Sequence, residues 1–548
     1  MGVNTEDSSP TGRHGARRPR VEIRSGRRQL LVDGRPFLVL GAELHNSSGS
    51  SPAALRAGLD RTVELNANTA LVPVTWELLE PTEGEFDFEL VDLLLTEGRD
   101  RGLRVIPLWF ASWKNGRSSY APAWVKRDAD RFERVRVDAD LAIDDLTPFS
   151  PANRAADAAA FRALMRRIAT RDPDAAVVPM VQVENEVGLL GASRDRSASA
   201  LAAFAGEVPR ELLSRLEDGA ELPVAHAWRE HGARASGTWE EVFGSGARTD
   251  EAFMAWGYAT AVQHIAAAGR RENDVPLFAN AWLDGDDVVT ADSLTGGREP
   301  GIYPSGGPVL TVAEVWRTFA PALDLLSPDI YVGDVDRICA AWSAVNYGGL
   351  LIPEMRRDDA GAALAFLALG AHGALGVSPF GIDSGPADDT AAFRDAYLLL
   401  RAVAPALTRA ATDDMAGFVL HRADDEAEIA IGGQRFTART TRASADPSVS
   451  PGGYGLVVRT EDDAYLAVGR GFSLEPLPRD GRRSGILSVD ELLPSPDGLR
   501  PGRRLNGDET LAGSAWMHPA RGHAAPGRLP IATEGQNSGI TACRLYAF

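Results

Sequence analysis

The sequence predicts an α/β fold in which a (β/α)8 barrel, or TIM barrel, is followed by a C-terminal all-β, sandwich-like domain. Three features of the chain support this prediction. Short apolar runs rich in β-forming residues alternate with segments of helical character. The runs are apolar at consecutive positions, which is typical of strands that are covered on both faces. From about residue 407 the alternation gives way to short strands separated by Gly, Asp and Pro turns.

Eight apolar runs precede residue 407, and each one ends in polar or aromatic residues. They span residues 37–40, 70–74, 104–109, 177–183, 276–279, 325–331, 350–353 and 374–379. Strands covered on both faces occur in barrels and in doubly wound sheets, and eight repeated units favour the barrel. The first run is followed by Gly41-Ala42-Glu43-Leu44-His45-Asn46. An open nucleotide-binding sheet would more often carry a glycine-rich phosphate loop at this point.

Amphipathic segments between the runs predict the helices. The best candidates span residues 53–65, 88–102, 157–171, 251–268 and 360–371. The long interval from 188 to 275 predicts an insertion over the carboxyl end of the barrel. We therefore expect a disordered leader at 1–20, a catalytic barrel at 21–406 with this insertion, and a β domain at 407–548.

Composition excludes several classes of protein. The 548 residues carry a formal net charge of −19 and give a pI near 5.0, so the long-range field of the protein repels nucleic acid and anionic membranes. Two cysteines cannot form a disulfide framework. The leader lacks the apolar core of a secretory signal. We expect a cytoplasmic protein that binds neither nucleic acid nor membrane, and a homo-oligomer remains open.

Two glutamates close barrel strands, which is where catalytic groups of this fold lie. Glu186 belongs to Glu184-Asn185-Glu186 after the fourth run, and Glu354 follows the seventh run. Cleavage of a glycosidic bond needs one carboxylic acid that protonates the leaving oxygen and one carboxylate that attacks or activates water. A single glutamate after a strand is more often a solvated loop residue, but two that face one cavity match this chemistry.

Around these residues the chain resembles glycoside hydrolase clan A, and within it the β-galactosidases of families 35 and 42, over residues 32–383. Gln182-Val183-Glu184-Asn185-Glu186-Val187-Gly188 is similar to the family 35 acid/base signature. A second-strand motif of both families resembles residues 72–81 and 84–88. The resemblance implies that Glu186 is the acid/base, that Glu354 is the nucleophile, and that Asn185 binds the sugar 2-hydroxyl. It also implies a retaining mechanism, and an exo-acting β-D-galactosidase as the leading function.

The chain departs from family 35 at two motifs. It has Pro353-Glu354-Met355 where that family usually has Ser-Glu-Phe, and Glu43-Leu44-His45-Asn46 where the usual form contains His-Tyr. We interpret the chain as a divergent branch with its own C-terminal β domain. The donor sugar could accordingly be another equatorial glycoside, such as a β-glucoside, β-xyloside or β-glucuronide. A non-catalytic carbohydrate-binding protein is the alternative outside the enzymes.

The remaining candidates for substrate binding lie at other strand ends. A tyrosine of clan A at the position of Tyr331 would hydrogen-bond the nucleophile. Amide and carboxylate groups could hold sugar hydroxyls, and aromatic rings could stack on the C–H face of a sugar. The predicted substrate-binding set is Glu43, Asn46, Asn115, Asn185, Trp282, Tyr331 and Phe380, with Trp113 as a further aromatic candidate. Neither His45 nor His372 has metal ligands at a suitable spacing, so no metal and no cofactor is predicted.

Overall fold

Eight parallel strands form a closed barrel in the computed structural model, which describes residues 18–138, 140–219, 223–285, 296–421, 425–441, 451–495, 498–518 and 538–548. In chain order the barrel strands are β1 (Val39–Glu43), β2 (Thr69–Thr75), β3 (Arg104–Lys114), β4 (Val181–Asn185), β5 (Leu277–Ala281), β6 (Leu325–Ile330), β7 (Leu351–Met355) and β8 (Gly376–Pro379). Each strand pairs with the next, and β8 closes on β1. Every one of the eight apolar runs overlaps a barrel strand, so the predicted fold is confirmed.

Burial on both faces explains why the barrel strands are continuous apolar runs. All seven residues of β2 are buried, as are all five residues of β4, β5 and β7. One face fills the barrel interior with side chains such as Val39, Ile106, Phe278 and Leu351. The other face packs under the helices in a larger apolar core. Such two-sided burial accounts for the stabilisation of the parallel sheet by the hydrophobic effect.

Fourteen α-helices are found in the described part of the chain. They are α1 (Pro52–Glu64), α2 (Trp76–Leu79), α3 (Glu89–Asp100), α4 (Ala123–Arg127), α5 (Pro151–Arg171), α6 (Ala198–Phe204), α7 (Arg210–Glu217), α8 (Pro223–Glu230), α9 (Trp239–Phe243), α10 (Ala247–Arg270), α11 (Ala313–Phe319), α12 (Val335–Val345), α13 (Asp359–Ala371) and α14 (Ala391–Arg409). Helices α1 and α5 begin with a capping serine followed by proline. Both residues favour a helix start, because serine accepts a backbone N–H and proline needs none.

The interval between β4 and β5 contains five helices. Helices α6 to α9 are short, whereas α10 spans 24 residues and packs along α5. The aromatic cluster Phe149, Phe253, Trp239 and Trp256 joins α9 and α10 to the loop before α5. The predicted helix at 251–268 is thus part of the outer helical layer.

A small antiparallel sheet of strands Arg20–Arg24, Arg27–Val32 and Arg35–Pro36 precedes the barrel. Arg27 donates hydrogen bonds to the carbonyl oxygens of Leu407 and Ala410, at 2.6 and 2.7 Å, which ties this sheet to the end of α14. Of the predicted leader at 1–20, residues 1–17 lie outside the described residues, and Arg20 already begins the first strand.

The C-terminal part consists of two antiparallel sheets. Its strands are β9 (Met415–Leu420), β10 (Glu426–Ile431), β11 (Gln434–Thr440), β12 (Gly453–Glu461), β13 (Ala464–Arg470), β14 (Phe472–Pro476), β15 (Ser484–Ser495), β16 (Gly498–Leu505), β17 (Trp516–His518) and β18 (Ile540–Ala547). Six of these strands form one sheet and four form the other. Aromatic and branched side chains between the sheets make a separate core. This arrangement confirms the predicted all-β unit.

Helix α13 and strand β9 bring the barrel and the C-terminal sheets into close contact. A Cβ atom at Gly370 would lie 2.8 Å from the Cα atom of Gly417, so both backbones approach where neither residue has a side chain. Buried residues of the C-terminal sheets, such as Leu456 and Ile540, join the apolar core that surrounds the barrel. Among the described residues, no helix is long and apolar enough to cross a membrane.

Candidate active site

The two predicted catalytic glutamates lie together at the carboxyl end of the barrel. Glu186 directly follows β4 and Glu354 lies within β7. Oxygen atoms of the Glu186, Asp329 and Glu354 carboxyl groups all lie within 4.8 Å of one another. Both glutamates are buried, with 5% and 7% of their surfaces exposed. The geometry thus brings two carboxyl groups to one point in a largely water-excluded site.

A strained turn presents Glu186. The φ angles of Glu184 and Glu186 are +60° and +46°, in the left-handed region that non-glycine residues rarely adopt. The neighbouring loop after β3 holds the turn, because the backbone N–H groups of Asn115 and Gly116 donate to the carbonyl oxygens of Asn185 and Glu186 at 3.1 and 3.2 Å. A Cβ atom at Gly116 would lie 2.9 Å from the Gly188 oxygen, so this approach requires glycine. Such strain is found where a fold over-determines a functional geometry.

Asn185 and Asn115 form one amide network with Asn280 of β5. The Asn185 Oδ1 accepts from Gln182 at 3.0 Å and from the Asn280 side chain at 3.2 Å. The Asn185 Nδ2 donates to Asn115 Oδ1 at 3.3 Å. The Asn280 Oδ1 in turn accepts the backbone N–H of Glu186 at 3.0 Å. The network fixes Asn185 and orients the residue that follows it.

The environment of Glu186 favours a protonated carboxyl group. Burial raises its pKa from 4.5 to about 7, and the neighbouring charge of Glu354 acts in the same direction. Lys114 and a hydrogen bond from Trp282 oppose the rise. Trp282 is therefore in direct contact with Glu186, at the end of β5 where the sequence predicts a site aromatic.

Tyr331 orients Glu354. Its hydroxyl donates to Glu354 Oε1 at 2.5 Å, and burial together with the Glu354 charge raises the pKa of Tyr331. Glu354 Oε2 is buried and has no hydrogen-bond partner among the described residues. Glu354 Oε1 is therefore held by Tyr331, whereas Oε2 is available to contact a substrate.

Three further side chains at this point were not predicted from the sequence. Asp329 of β6 is buried beside both glutamates, and burial, then the charges of Glu354 and Glu186, raise its pKa well above the ordinary value. Asn280 donates to Asp329 Oδ2 at 2.8 Å. Lys114, at the end of β3, is 7% exposed, and its charge lowers the pKa values of Glu43 and Glu186. Asp329 precedes Tyr331 by two positions, and this period-two spacing was the available signal.

The remaining predicted binding residues lie at the ends of two barrel strands. Glu43 and Asn46 are at the end of β1, and Phe380 follows β8. Burial raises the pKa of Glu43 well above its ordinary value, and the charge of Glu354 contributes. Phe380 forms a β-bridge with Glu43 and packs against the His45 ring at 5.6 Å between ring centroids. Asn46 is half-buried, and its Oδ1 is an unpaired buried atom in the described part of the chain.

Glu184 and Trp113 point into the protein core. Glu184 is fully buried and accepts the backbone N–H of Trp113 at 2.7 Å and that of Ser112 at 3.4 Å. Trp113 is 1% exposed, donates to the Leu146 carbonyl oxygen at 3.0 Å and packs edge-on against Tyr258. Core packing therefore accounts for Trp113, and Glu184 supports the loop after β3.

The Glu186, Asp329 and Glu354 cluster has the spacing of a metal site. Its donor set does not favour a cation. Burial raises the pKa values of Glu186 and Asp329, so a Ca²⁺ or Mg²⁺ ion, which requires ionised oxygen ligands, would have to displace protons from this cluster. Hydrogen bonds from Tyr331 and Asn280 also occupy part of the available lone pairs. The cluster suits proton transfer better than metal binding.

Comparisons with known proteins give two family matches. Residues 57–230 match the family model of glycoside hydrolase family 42, described as "Beta-galactosidase". Residues 393–517 match a domain of unknown function (DUF5597). A search of curated proteins found no match.

Solved structures with similarity to the chain include glycosidases of low sequence identity. The β-amylase catalytic domain of Paenibacillus polymyxa is 12% identical with a TM-score of 0.47, covering 65% of this chain and 96% of that one. The β-galactosidase of the psychrophilic Marinomonas ef1 is 17% identical with a TM-score of 0.45, covering 67% of this chain and 60% of that one. The enzyme of Bacillus circulans sp. alkalophilus is 14% identical with a TM-score of 0.46, covering 67% and 56%. The chain thus spans less than two thirds of either β-galactosidase.

The family 42 match covers the segment that contains β3, β4 and Glu186, and it agrees with the closed barrel and its two buried glutamates. Over residues 57–230 the chain is therefore similar to glycoside hydrolase family 42.

Proposed function

We propose that the protein is a retaining exo-β-D-galactosidase in which Glu354 is the nucleophile and Glu186 is the acid/base. The observation that carries the proposal is the pairing of two buried glutamates whose carboxylate oxygens lie within 4.8 Å of each other. Retaining glycosidases have carboxyl groups about 5 to 5.5 Å apart, whereas inverting enzymes need about 6.5 to 9.5 Å to accommodate a water molecule. The short spacing supports retention.

In the first step Glu354 Oε2 attacks the anomeric carbon and the bond from that carbon to the leaving oxygen breaks. Glu186 gives its proton to this oxygen, so the leaving group departs as an alcohol. The environments support these roles. Glu354 Oε1 is held by the Tyr331 hydroxyl, and the pKa of about 7 keeps a proton on Glu186 near neutral pH.

In the second step Glu186, now ionised, takes a proton from water while the water oxygen attacks the anomeric carbon. The bond to Glu354 breaks, and the sugar leaves with its original configuration. Loss of the proton from Glu186 in the first step favours this reversal of role. Burial, with the charges of Glu354 and Glu186, raises the pKa of the neighbouring Asp329, which disfavours a further negative charge in the cluster.

A neutral donor sugar fits the charges of the site. Four carboxyl groups, those of Glu43, Glu186, Asp329 and Glu354, influence one another electrostatically, and Lys114 acts on Glu43 and Glu186. A uronic acid would add a negative charge to this group, so β-glucuronides are disfavoured. The family match favours β-galactosides over β-glucosides and β-xylosides, and a panel of nitrophenyl glycosides tests that order.

The anomer of the first product tests the mechanism. Proton NMR during hydrolysis of a nitrophenyl β-galactoside should show the β-anomer first. An α-anomer as the first product contradicts retention. The same assay on the panel separates the enzyme from a non-catalytic binding protein, which would release no nitrophenol from any glycoside.

Variants at the two glutamates test the assignment of roles. E354A should abolish turnover of all substrates, because no covalent intermediate forms. E186A should still form the intermediate from a nitrophenyl galactoside, whose leaving group departs without protonation, and should give a burst. Glu77 is exposed on α2, so E77A is a matched control that should retain full activity. Equal losses on all leaving groups in E186A would contradict its assignment as the acid.

A further inference from the structure

A groove lies between the catalytic face of the barrel and the C-terminal sheets. Its volume is about 660 Å³, within the 300 to 1,000 Å³ typical of ligand sites. The barrel contributes the loops after β6 and β7 and the first turns of α12 and α13, including Val332 and Leu364. The C-terminal domain contributes the ends of β9 and β10, including Val419 and Ala427.

This groove shares two lining residues with a cavity on the catalytic face of the barrel. A second cavity, of about 620 Å³, lies beside Glu354 and is lined by His45, Phe380 and neighbouring residues. Tyr331 and Arg356 line both spaces. The Tyr331 side chain therefore contacts Glu354 through its hydroxyl and also lines the groove. The βα loops that form the groove also belong to the catalytic face of the barrel.

The charged side chains of the groove already have partners. Asp336 pairs with His372 at 2.7 Å, and Glu428 pairs with Arg435 at 2.8 Å. Asp334 caps α12 by accepting the backbone N–H of Arg337 at 3.2 Å. The surface is therefore polar but internally compensated. It offers no concentrated charge for an ionic ligand.

The apolar part of the lining complements these polar groups. Val332 and Leu364 of the barrel and Val419 of the C-terminal domain present C–H surfaces. Hydroxyl groups and C–H faces alternate on a neutral sugar, and both kinds of surface are available here. The lining thus fits an uncharged oligosaccharide better than a phosphate or a uronide.

We propose that the groove binds the leaving-group side of an oligosaccharide substrate, so that the C-terminal domain selects glycans over disaccharides. This inference rests on the proposed function. In this proposal the donor sugar lies beside the buried Glu186 and Glu354, and the chain attached to it extends past Tyr331 and Arg356 into the groove. Contacts distant from the reacting bond raise kcat/KM when they are also made in the transition state.

Three substrates separate the groove from the catalytic centre. Nitrophenyl β-galactoside and lactose are too short to extend along the groove, whereas lacto-N-neotetraose is a neutral tetrasaccharide with a terminal β-galactosyl residue. The wild-type protein should hydrolyse the tetrasaccharide with a kcat/KM at least tenfold above that for lactose. Equal values would overturn the inference while leaving the proposed function intact. Absence of turnover on all three substrates removes the proposed function, and this inference with it.

A bulky residue in the groove provides the second test. Ala427 lines the groove on β10, and A427W should lower kcat/KM for the tetrasaccharide at least tenfold while leaving the value for nitrophenyl galactoside within twofold. Ala430 is exposed on the same strand and does not line the groove, so A430W is the matched control and should alter neither value. Nitrophenyl turnover verifies folding of both variants. Unchanged tetrasaccharide hydrolysis in A427W, or equal loss on both substrates, overturns the inference.

Discussion

Glu186 and Glu354 have chemically identical carboxyl groups, but the side chains around the two groups differ. Burial raises the pKa of Glu186 to about 7, and the neighbouring charge of Glu354 acts in the same direction. Glu354 accepts a hydrogen bond from Tyr331, which stabilises a carboxylate. The two glutamates therefore differ in their surroundings, as the proposed roles of acid and nucleophile require.

The charge of Lys114 lowers the pKa of Glu186, so K114M should shift the pH dependence of kcat/KM. Glu186 acts as an acid only while protonated, and kcat/KM for lactose should fall as pH rises through about 7. Lys114 lowers the pKa of Glu186, so its removal raises that pKa and moves the alkaline limb to higher pH. Lys126 donates to the Ser119 carbonyl oxygen away from the site, and K126M serves as the control. A limb that stays in place or moves to lower pH contradicts this assignment.

Loss of the Tyr331 hydroxyl should slow the reaction at the nucleophile. A hydrogen bond to a charged group contributes about 1.5 to 3 kcal/mol, so Y331F should lower kcat roughly 10- to 150-fold. Tyr303 makes a similar bond to buried Glu251 at 2.6 Å and does not contact Glu354. Y303F should reduce thermal stability and leave kcat near the wild-type value. Full kcat in Y331F would show that Tyr331 has no role at Glu354.

At the scale of elements, the turn after β4 depends on a buried acid that takes no part in the reaction. Glu184 accepts the backbone N–H groups of Ser112 and Trp113 at the end of β3, and burial and the charge of Asp157 raise its pKa well above the ordinary value. These surroundings favour the protonated, neutral form of the carboxyl group. The loop that it supports carries Lys114 and Asn115 to the site.

Substitution of Glu184 should distinguish its shape from its charge. E184A leaves two buried donors unpaired and should lower the free energy of unfolding by at least about 2 kcal/mol. E184Q keeps an acceptor oxygen of the same shape in place of a neutral acid, and should cost less than about 1 kcal/mol. Urea unfolding measures both values. A larger loss in E184Q than in E184A would show that Glu184 is ionised in the folded state.

The sequence predicted those elements whose burial is continuous. All eight barrel strands are apolar runs because helices cover one face and the barrel interior fills the other. The small N-terminal sheet was missed because its first strand alternates charged residues with Val21 and Ile23 and so lacks the continuous apolar run by which the barrel strands were recognised. Asp329 was missed because its pKa shift depends on contacts with Glu186 and Glu354, which are distant in sequence. In the sequence it is only a polar residue within an otherwise apolar run. Spacing alone does not reveal such contacts between strands.

At the scale of the whole molecule, one apolar core extends from the barrel into the C-terminal sheets. Leu400 and Val403 of α14 belong to the same buried cluster as Leu466 and Val468 of β13. The helix Ala391–Arg409 runs past residue 407, where the strand pattern begins. The shared core couples the two parts energetically, and it holds the groove walls in a fixed relation.

This shared core predicts a single thermal transition for the full chain. Differential scanning calorimetry should show one cooperative peak, because unfolding of either part exposes apolar surface of the other. A chain truncated after residue 410 should unfold at a lower temperature or fail to fold. Two well-separated peaks for the full chain would contradict the coupling.

The covalent intermediate on Glu354 is the most direct test of the account. A 2-deoxy-2-fluoro-β-galactosyl donor with an activated leaving group slows both steps, and the second step more, so the glycosyl-enzyme accumulates. Mass spectrometry of the digested protein should then find the fluorosugar on the peptide that contains Glu354, with one sugar per chain. E354A should remain unlabelled, and E77A should be labelled as the wild type is. A label on any other residue, or no label during measurable turnover, would contradict the assignment of Glu354 as the nucleophile.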